Sequence, residues 1–266
     1  MIEVSANKHH TFSVCAYKES DYLELLIDSL LAQTVKSNIL ISTSTPNENI
    51  DSIAKKHNLK VFVNPEPGKG IGADWNFAYS LAKTDFVTLA HQDDIYEPTY
   101  TEQVLKALEE VKKPILAYTD YYEIRPEGRV NENKLLKIKS LMNGPIGAFP
   151  NSRFVRNRML SMGCPISCPS VTYNKKRFPS FEFVTYMKTN LDWDAEARLA
   201  NEPGEFVYIS ERLLGHRIHP GSETTSGIGT GARSAEDLEM FERYWPKGIA
   251  RFIHRFYEGG LKSNSI

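Results

Sequence analysis

The sequence predicts an α/β fold: a mostly parallel sheet with helices on both faces, followed by a C-terminal helical tail. Three observations carry this expectation. The first half alternates short apolar, β-branched runs with amphipathic helical stretches, the rhythm of βα units. Clusters of Pro and Gly punctuate that alternation where loops are needed. The 266 residues are 41% hydrophobic and 24% charged, enough for one sizeable core and too apolar for a disordered chain.

Residues 11–16 read as a buried strand. Ser20 stands where a helix N-cap would, with Asp21 and Glu24 in the first turn, and Leu23, Leu26, Ile27, Leu30 and Leu31 follow at helical spacing. Residues 39–42 form the next strand, 49–57 a helix with Ile50, Ile53 and Ala54 inward, and 61–63 a third strand. Residues 64–72 hold two Pro and three Gly and read as a loop before a helix over 73–83. The strand 86–90 ends at His91-Gln92-Asp93-Asp94, and Pro98 fits the first turn of a helix running to 112. Residues 115–118 form a further strand, and 123–130 a hairpin turning at Pro126-Glu127-Gly128. Later elements are a helix over 151–162, strands at 171–173 and 206–209, and a helix over 192–200 between them. The Gly/Ser/Thr-rich stretch 221–231 reads as a mobile loop, and 235–257 as helix interrupted near Pro246. No internal repeat interrupts this order, so the expected division is one domain over 1–232 and a helical tail over 233–266.

The formal net charge of -1 provides no global field for nucleic acid or membrane, though a local basic patch stays open. Cys15, Cys164 and Cys168 match neither a disulfide framework nor a zinc pattern, which leaves reduced thiols. The polar residues 1–10 lack a signal-type apolar stretch, and no run is long enough to span a bilayer. A cytoplasmic protein is expected, one that reaches any lipid-linked substrate from the surface.

Asp93-Asp94 is the sharpest chemical signal. Two carboxylates at the end of a buried strand repel unless something positive joins them, and a divalent cation bridging to a diphosphate meets that need. The bland alternative is a solvated turn. Gly68-Lys69-Gly70-Ile71-Gly72 fits neither phosphate-loop spacing and reads as a flexible loop. Asp192-Trp193-Asp194, at a helix start, offers either dipole partners or a general base. Arg217 and His219, just before the Gly-rich loop, suit phosphate and metal respectively, or are simply solvated.

Together these pieces resemble the family 2 glycosyltransferases with the GT-A fold. Phe12-Ser13-Val14-Cys15-Ala16-Tyr17-Lys18-Glu19 is similar to that family's first strand and following loop. Ser29-Leu30-Leu31-Ala32-Gln33-Thr34 is similar to its S-L-x-x-Q-T segment, and Gly70 to Asn76 to its G-x-x-x-x-R-N segment. Ala90 to Asp94 resembles its L-D-A-D-D metal motif. Cys164 to Val171 resembles its acceptor-side segment, and Leu191-Asp192-Trp193-Asp194 with Arg198 its E-D-x-x…R element. The resemblance covers residues 11–226. This sequence departs from the pattern at four places. Ser42-Thr43-Ser44-Thr45 stands where the family has acidic, base-holding residues. His91 replaces the first Asp of the metal motif, Trp75 the Arg before Asn76, and Leu191 the Glu before Asp192.

The resemblance implies an inverting, metal-dependent, hexosyltransferase-like enzyme that moves a sugar from a nucleotide-sugar donor to a hydroxyl. A cell-surface glycan or lipid-linked saccharide is the expected acceptor. It implies Asp192 as catalytic base. Ala16, Tyr17, Glu19, Thr43, Asn76, Asp93 and Arg217 would bind the nucleotide sugar, and Asp94 and His219 would hold Mn²⁺ or Mg²⁺. A sugar nucleotidyltransferase and a non-catalytic nucleotide- or glycan-binding module are the alternatives. No nucleic-acid partner is expected. In the tail, residues 247–257 interleave Lys247, Arg251, His254 and Arg255 with Ile249, Phe252, Ile253 and Phe256. That helix either lies on the inner, anionic face of the membrane, packs on the core, or joins a homodimer.

Overall fold

The computed structural model describes residues 9–219 and 232–262. The loop expected at 221–231 lies outside the described residues. The first half follows the anticipated alternation: β1 (His10–Ala16), α1 (Leu23–Leu31), β2 (Asn38–Thr43), α2 (Glu48–Lys56), β3 (Lys60–Val63), α3 (Ile71–Leu81) and β4 (Phe86–His91). Then come β5 (Ile95–Tyr96), α4 (Tyr100–Glu109), β6 (Pro114–Arg125), β7 (Gly128–Val130), α5 (Lys134–Ala148) and α6 (Arg153–Leu160). The chain continues through β8 (Val171–Asn174), α7 (Leu191–Leu199), β9 (Glu205–Arg217), α8 (Ala232–Glu242) and α9 (Lys247–Lys262).

The strands form one sheet in the order β3-β2-β1-β4-β8-β6-β9-β5, with β7 flanking β6. β3, β2, β1 and β4 are mutually parallel, as βαβ crossovers require. β8 is inserted antiparallel between β4 and β6, and β9 runs parallel to β6. The carboxyl ends of β1, β2, β3, β4 and β9 therefore open on the same edge.

Helices cover both faces. One face packs Phe12 and Val14 of β1 against Leu23, Leu26 and Leu30 of α1, Ile50 of α2 and Val104 of α4. The other packs Val87 and Leu89 of β4 against Trp75 and Tyr79 of α3 and Leu191 and Trp193 of α7. Met240 and Phe241 of α8 and Ala250 of α9 belong to that second core, so the C-terminal helices lie on the sheet domain. The Trp193 and Phe241 rings meet edge to face at 5.1 Å.

Several local expectations change. Ser20 accepts the Tyr22 N–H at 3.2 Å and so closes the turn before α1, while Tyr22 takes the N-cap position without a side-chain bond. α4 starts at Tyr100, two residues beyond Pro98. The strand expected at 206–209 extends to 13 residues because β6 pairs along it as far as Arg217. The glycine-rich 68–72 stretch is not all loop: α3 begins at Ile71, and Gly72 is buried against Val184 and Leu191.

Candidate active site

The acidic turn is built by a strand pairing. β4 ends at His91, and β5, just after Asp94, pairs with β9 through Ile95↔Gly215 and Tyr96↔Leu214. Residues 216–219 therefore run directly past Asp93 and Asp94. The Asp94 carboxylate is 1% exposed. Its Oδ1 accepts the Arg217 main-chain N–H at 2.9 Å and lies 3.1 Å from His216 Nδ1. Its Oδ2 is buried with no hydrogen-bond partner among the described residues. Asp93 Oδ2 is 2.9 Å from His219 Nε2, and the Arg217 Nε–H donates to the Asp93 carbonyl at 2.9 Å. The Arg217 guanidinium lies 4.4 Å from the Tyr22 ring centre.

Burial pushes the Asp93 carboxyl up, but the His219 hydrogen bond and the nearby His91 and His216 outweigh it and hold it below the ordinary carboxylate range. Burial pulls His216 down, and the adjacent Asp94 more than reverses this, so its imidazole is raised. The turn is thus a carboxylate pair ringed by imidazoles and one guanidinium.

The donor set can be tested against a divalent cation. Among the described residues no three His, Cys, Asp or Glu side chains converge as a metal cage. Mg²⁺ and Mn²⁺ do not require one, because they commonly take one or two carboxylates and complete their shell with water and phosphate oxygens. The partnerless Asp94 Oδ2 is an acceptor that a cation would satisfy, since buried polar atoms are rarely left unmatched. The residues fit that kind of partial site. Here His219 Nε2 is engaged with Asp93.

The other expected donor contacts divide. Ala16 closes β1, and Tyr17 and Glu19 are exposed beside it. Gln92, from the acidic turn, brackets Tyr17 by accepting its N–H at 2.8 Å and donating to its carbonyl at 2.9 Å. Thr43 spends its hydroxyl on the Thr45 N–H at 3.0 Å, inside its own turn. Asn76, expected among the donor-binding residues, is engaged with a neighbouring loop in this structure. Its amide donates to the Phe183 carbonyl at 2.9 Å and accepts the Phe183 N–H at 2.6 Å, so both ends are committed to holding that loop. Two residues earlier, Asp74 carries a carboxylate that sequence reading passed over. Ser44 Oγ and Asn64 Nδ2, at the carboxyl ends of β2 and β3, each donate to it at 2.8 Å.

Asp192 sits in the first turn of α7, half-buried, with Oδ1 accepting the Trp193 N–H at 2.8 Å. Burial raises its carboxyl, against smaller lowering effects that include His91. His91 links the two acidic regions: it stacks on Trp75 with ring centres 5.3 Å apart and also lowers Asp93. Asp194, by contrast, is buried in ion pairs with Arg243 at 2.6 Å and Arg198 at 2.8 Å, a fold-holding role. One turn after Asp192, Glu196 is fully buried. Its Oε2 accepts the Cys164 thiol at 2.8 Å, while its Oε1 has no partner among the described residues. Burial, with the nearby Asp192, pushes Glu196 well up. Such a residue leaves only a polar letter in a helix, which is why sequence reading missed it.

The family described as Glycosyl transferase family 2 matches residues 11–173. No curated protein matches in sequence. Among solved structures, the fold is similar to S. aureus TarS 1-349 in complex with UDP-GlcNAc, with a TM-score of 0.63 and 15% identity over 92% of this chain and 70% of that one. In the longer TarS structure the match spans 42% of the chain. The fold is also similar to glucosyl-3-phosphoglycerate synthase from Mycobacterium tuberculosis, solved with Mn²⁺ and UDP-glucose. There the TM-score is 0.57, with 15% identity over 88% of this chain and 79% of that one.

Proposed function

Because the chain belongs to glycosyl transferase family 2, we propose that it transfers a sugar from a nucleotide-sugar donor to an acceptor hydroxyl, with inversion at the anomeric carbon. One observation carries the reading. A buried carboxylate with a partnerless oxygen, Asp94, stands beside Asp93, His219 and Arg217 at the carboxyl ends of the strands, where open α/β sheets bind ligands.

Asp94 and Asp93 would hold a divalent cation, with His219 joining if it released Asp93. When bound, the cation would neutralise the departing diphosphate. Arg217, held by Asp93 and Tyr22, would add a fixed positive charge on the same side. The loop of Tyr17 and Glu19, braced by Gln92, and the polar edge of Thr43 would line the nucleoside. Asp192 would take the proton of the acceptor hydroxyl as that oxygen attacks the anomeric carbon. The bond from that carbon to the diphosphate oxygen breaks, and its electron pair leaves with the nucleoside diphosphate. A base raised by burial suits this task, because it binds the proton more readily than an exposed carboxylate.

The UDP-sugar complexes of the two similar structures make UDP-sugars the first donors to try. A hexose is the transferred sugar and a hydroxyl of a cell-surface glycan or lipid-linked saccharide the acceptor that we favour, with residues 1–232 as the transfer domain and 233–266 as the tail. The three free thiols suit a reducing compartment such as the cytoplasm. Thermal shift against a panel of nucleotide sugars, with and without Mn²⁺, tests the reading. One donor should raise Tm in a Mn²⁺-dependent way, with about 2.7 kcal/mol of stabilisation at a hundredfold excess over Kd. A panel in which no nucleotide sugar moves Tm contradicts it.

A further inference from the structure

The last helix, α9, uses one face and leaves the other bare. Ala250 is fully buried, and Ile253 and Tyr257 pack on the core, with Tyr257 seated against Gly163. Facing away are Ile249, Phe252 and Phe256, which are 47%, 64% and 68% exposed. Their spacing of three and four residues lines them up in one row. The rings of Phe252 and Phe256 meet edge to face at 4.8 Å.

A second exposed row runs beside the first: Lys247, Arg251 and Arg255, each four residues from the next. No acidic residue lies between Lys247 and Tyr257, and Glu258 turns inward to Ser234 and His254. None of the three cations makes an ion pair among the described residues. Some exposed cations elsewhere do pair, as in Lys56 with Glu24, Lys69 with Glu66 and Arg129 with Glu97; what sets α9 apart is three cations in one row with no acid between Lys247 and Tyr257. A chain with a net charge of -1 thus sets a row of cations, without an ion pair among the described residues, beside exposed aromatic rings on a single helix face.

We propose that α9 seats the protein on an anionic lipid surface. Phe252 and Phe256 would enter the boundary between headgroups and acyl chains, and Lys247, Arg251 and Arg255 would meet lipid phosphates. Aromatic and cationic rows side by side are what an interfacial helix requires. A second copy of the chain fits the face less well, because a twofold contact through it would set the two cationic rows against each other. Among the described residues no helix is long and apolar enough to cross a membrane, so this contact would be peripheral.

Co-sedimentation of the full chain with vesicles tests the proposal, without donor or metal, so that its failure leaves the transfer reading standing. The wild type should bind equal mixtures of phosphatidylglycerol and phosphatidylcholine, should ignore phosphatidylcholine alone, and should release as salt rises. Arg251→Gln with Arg255→Gln should weaken binding about thirtyfold. Phe252→Ser with Phe256→Ser should abolish sedimentation while leaving Tm unchanged, since both rings are exposed. Absence of binding to the anionic vesicles overturns the proposal, as does binding that both double variants retain. A wild type that light scattering shows to be dimeric, and that either double variant turns monomeric, overturns it in favour of self-association.

Discussion

Asp94 and Arg217, 123 residues apart in sequence, are joined by a 2.9 Å hydrogen bond from the Arg217 main-chain N–H to the buried Asp94 carboxylate. The same arginine returns its Nε–H to the Asp93 carbonyl. The acidic turn and the end of β9 are thus one unit, and Asp94 Oδ2, buried with no hydrogen-bond partner among the described residues, is left over for a ligand.

Asp94→Asn separates these two jobs. Asn keeps an oxygen for the Arg217 N–H, so Tm should change little. Transfer should fall on the order of a hundredfold or more, the usual loss when a preorganised charge at the reacting group is removed. Asp94→Ala leaves the Arg217 N–H without its acceptor and should also cost about 1–3 kcal/mol in denaturant unfolding.

As the proposed base, Asp192 would set the acidic limb of the pH profile. Burial raises its carboxyl, so the acidic limb of kcat should turn above the exposed-Asp value of about 3.9. Rates should rise as Asp192 loses its proton, and a limb at or below the exposed value would remove it as the base. Asp192→Asn should abolish transfer and spare donor binding measured by titration calorimetry.

Glu196 governs stability against pH. Its carboxyl is raised in the folded state, so the protonated form favours folding. That contribution is complete below the unfolded Glu value of about 4.3 and is lost as pH rises through the folded pKa. Glu196→Gln has no proton to lose there. Its Tm should decline less than that of the wild type between acid and neutral pH, and parallel Tm curves would contradict this.

Gly72→Ala tests the packing of α3 on α7. An added Cβ would collide with the Val184 carbonyl oxygen and come within 2.8 Å of Leu191 Cδ2. The cost should be about 1–3 kcal/mol of stability. Because Asp192 follows Leu191, transfer should fall as well.

Phe241→Ala tests whether the C-terminal helices belong to the fold. The ring is fully buried against Trp193, so unfolding should be easier by about 3–5 kcal/mol. A cost within error of zero would make the tail a separate appendage.

The helices of the first half were legible because their apolar faces repeat locally, as Leu23, Leu26, Ile27 and Leu30 do. α5 was not, because Lys134–Ala148 contains Gly144, Pro145 and Gly147 and buries only Leu136, Asn143 and Ile146. The antiparallel insertion of β8 was invisible for another reason. Strand order is a nonlocal choice, and Val171–Asn174 is apolar enough to fit either direction. At the site, adjacent acids and the Arg217/His219 pair stood out by residue type. Asp74, Gln92 and Glu196 did not, since their partners come from distant strand ends or from a partly buried thiol. Asn76 stood out by its place in a motif, and its bonds to the Phe183 backbone, which come from a loop more than 100 residues away, were not legible.

In the proposed reaction Asp93-Asp94 supports sugar transfer from a nucleotide sugar. This role is tested most directly by incubating the wild type and Asp94→Asn with the donor found by thermal shift and Mn²⁺, and quantifying the released phosphorus species. The expected result is nucleoside diphosphate from the wild type, accompanied by an inverted glycoside when acceptor is supplied, and about a hundredfold less from the variant. Release of pyrophosphate, no release at all, or equal release from both proteins would contradict it.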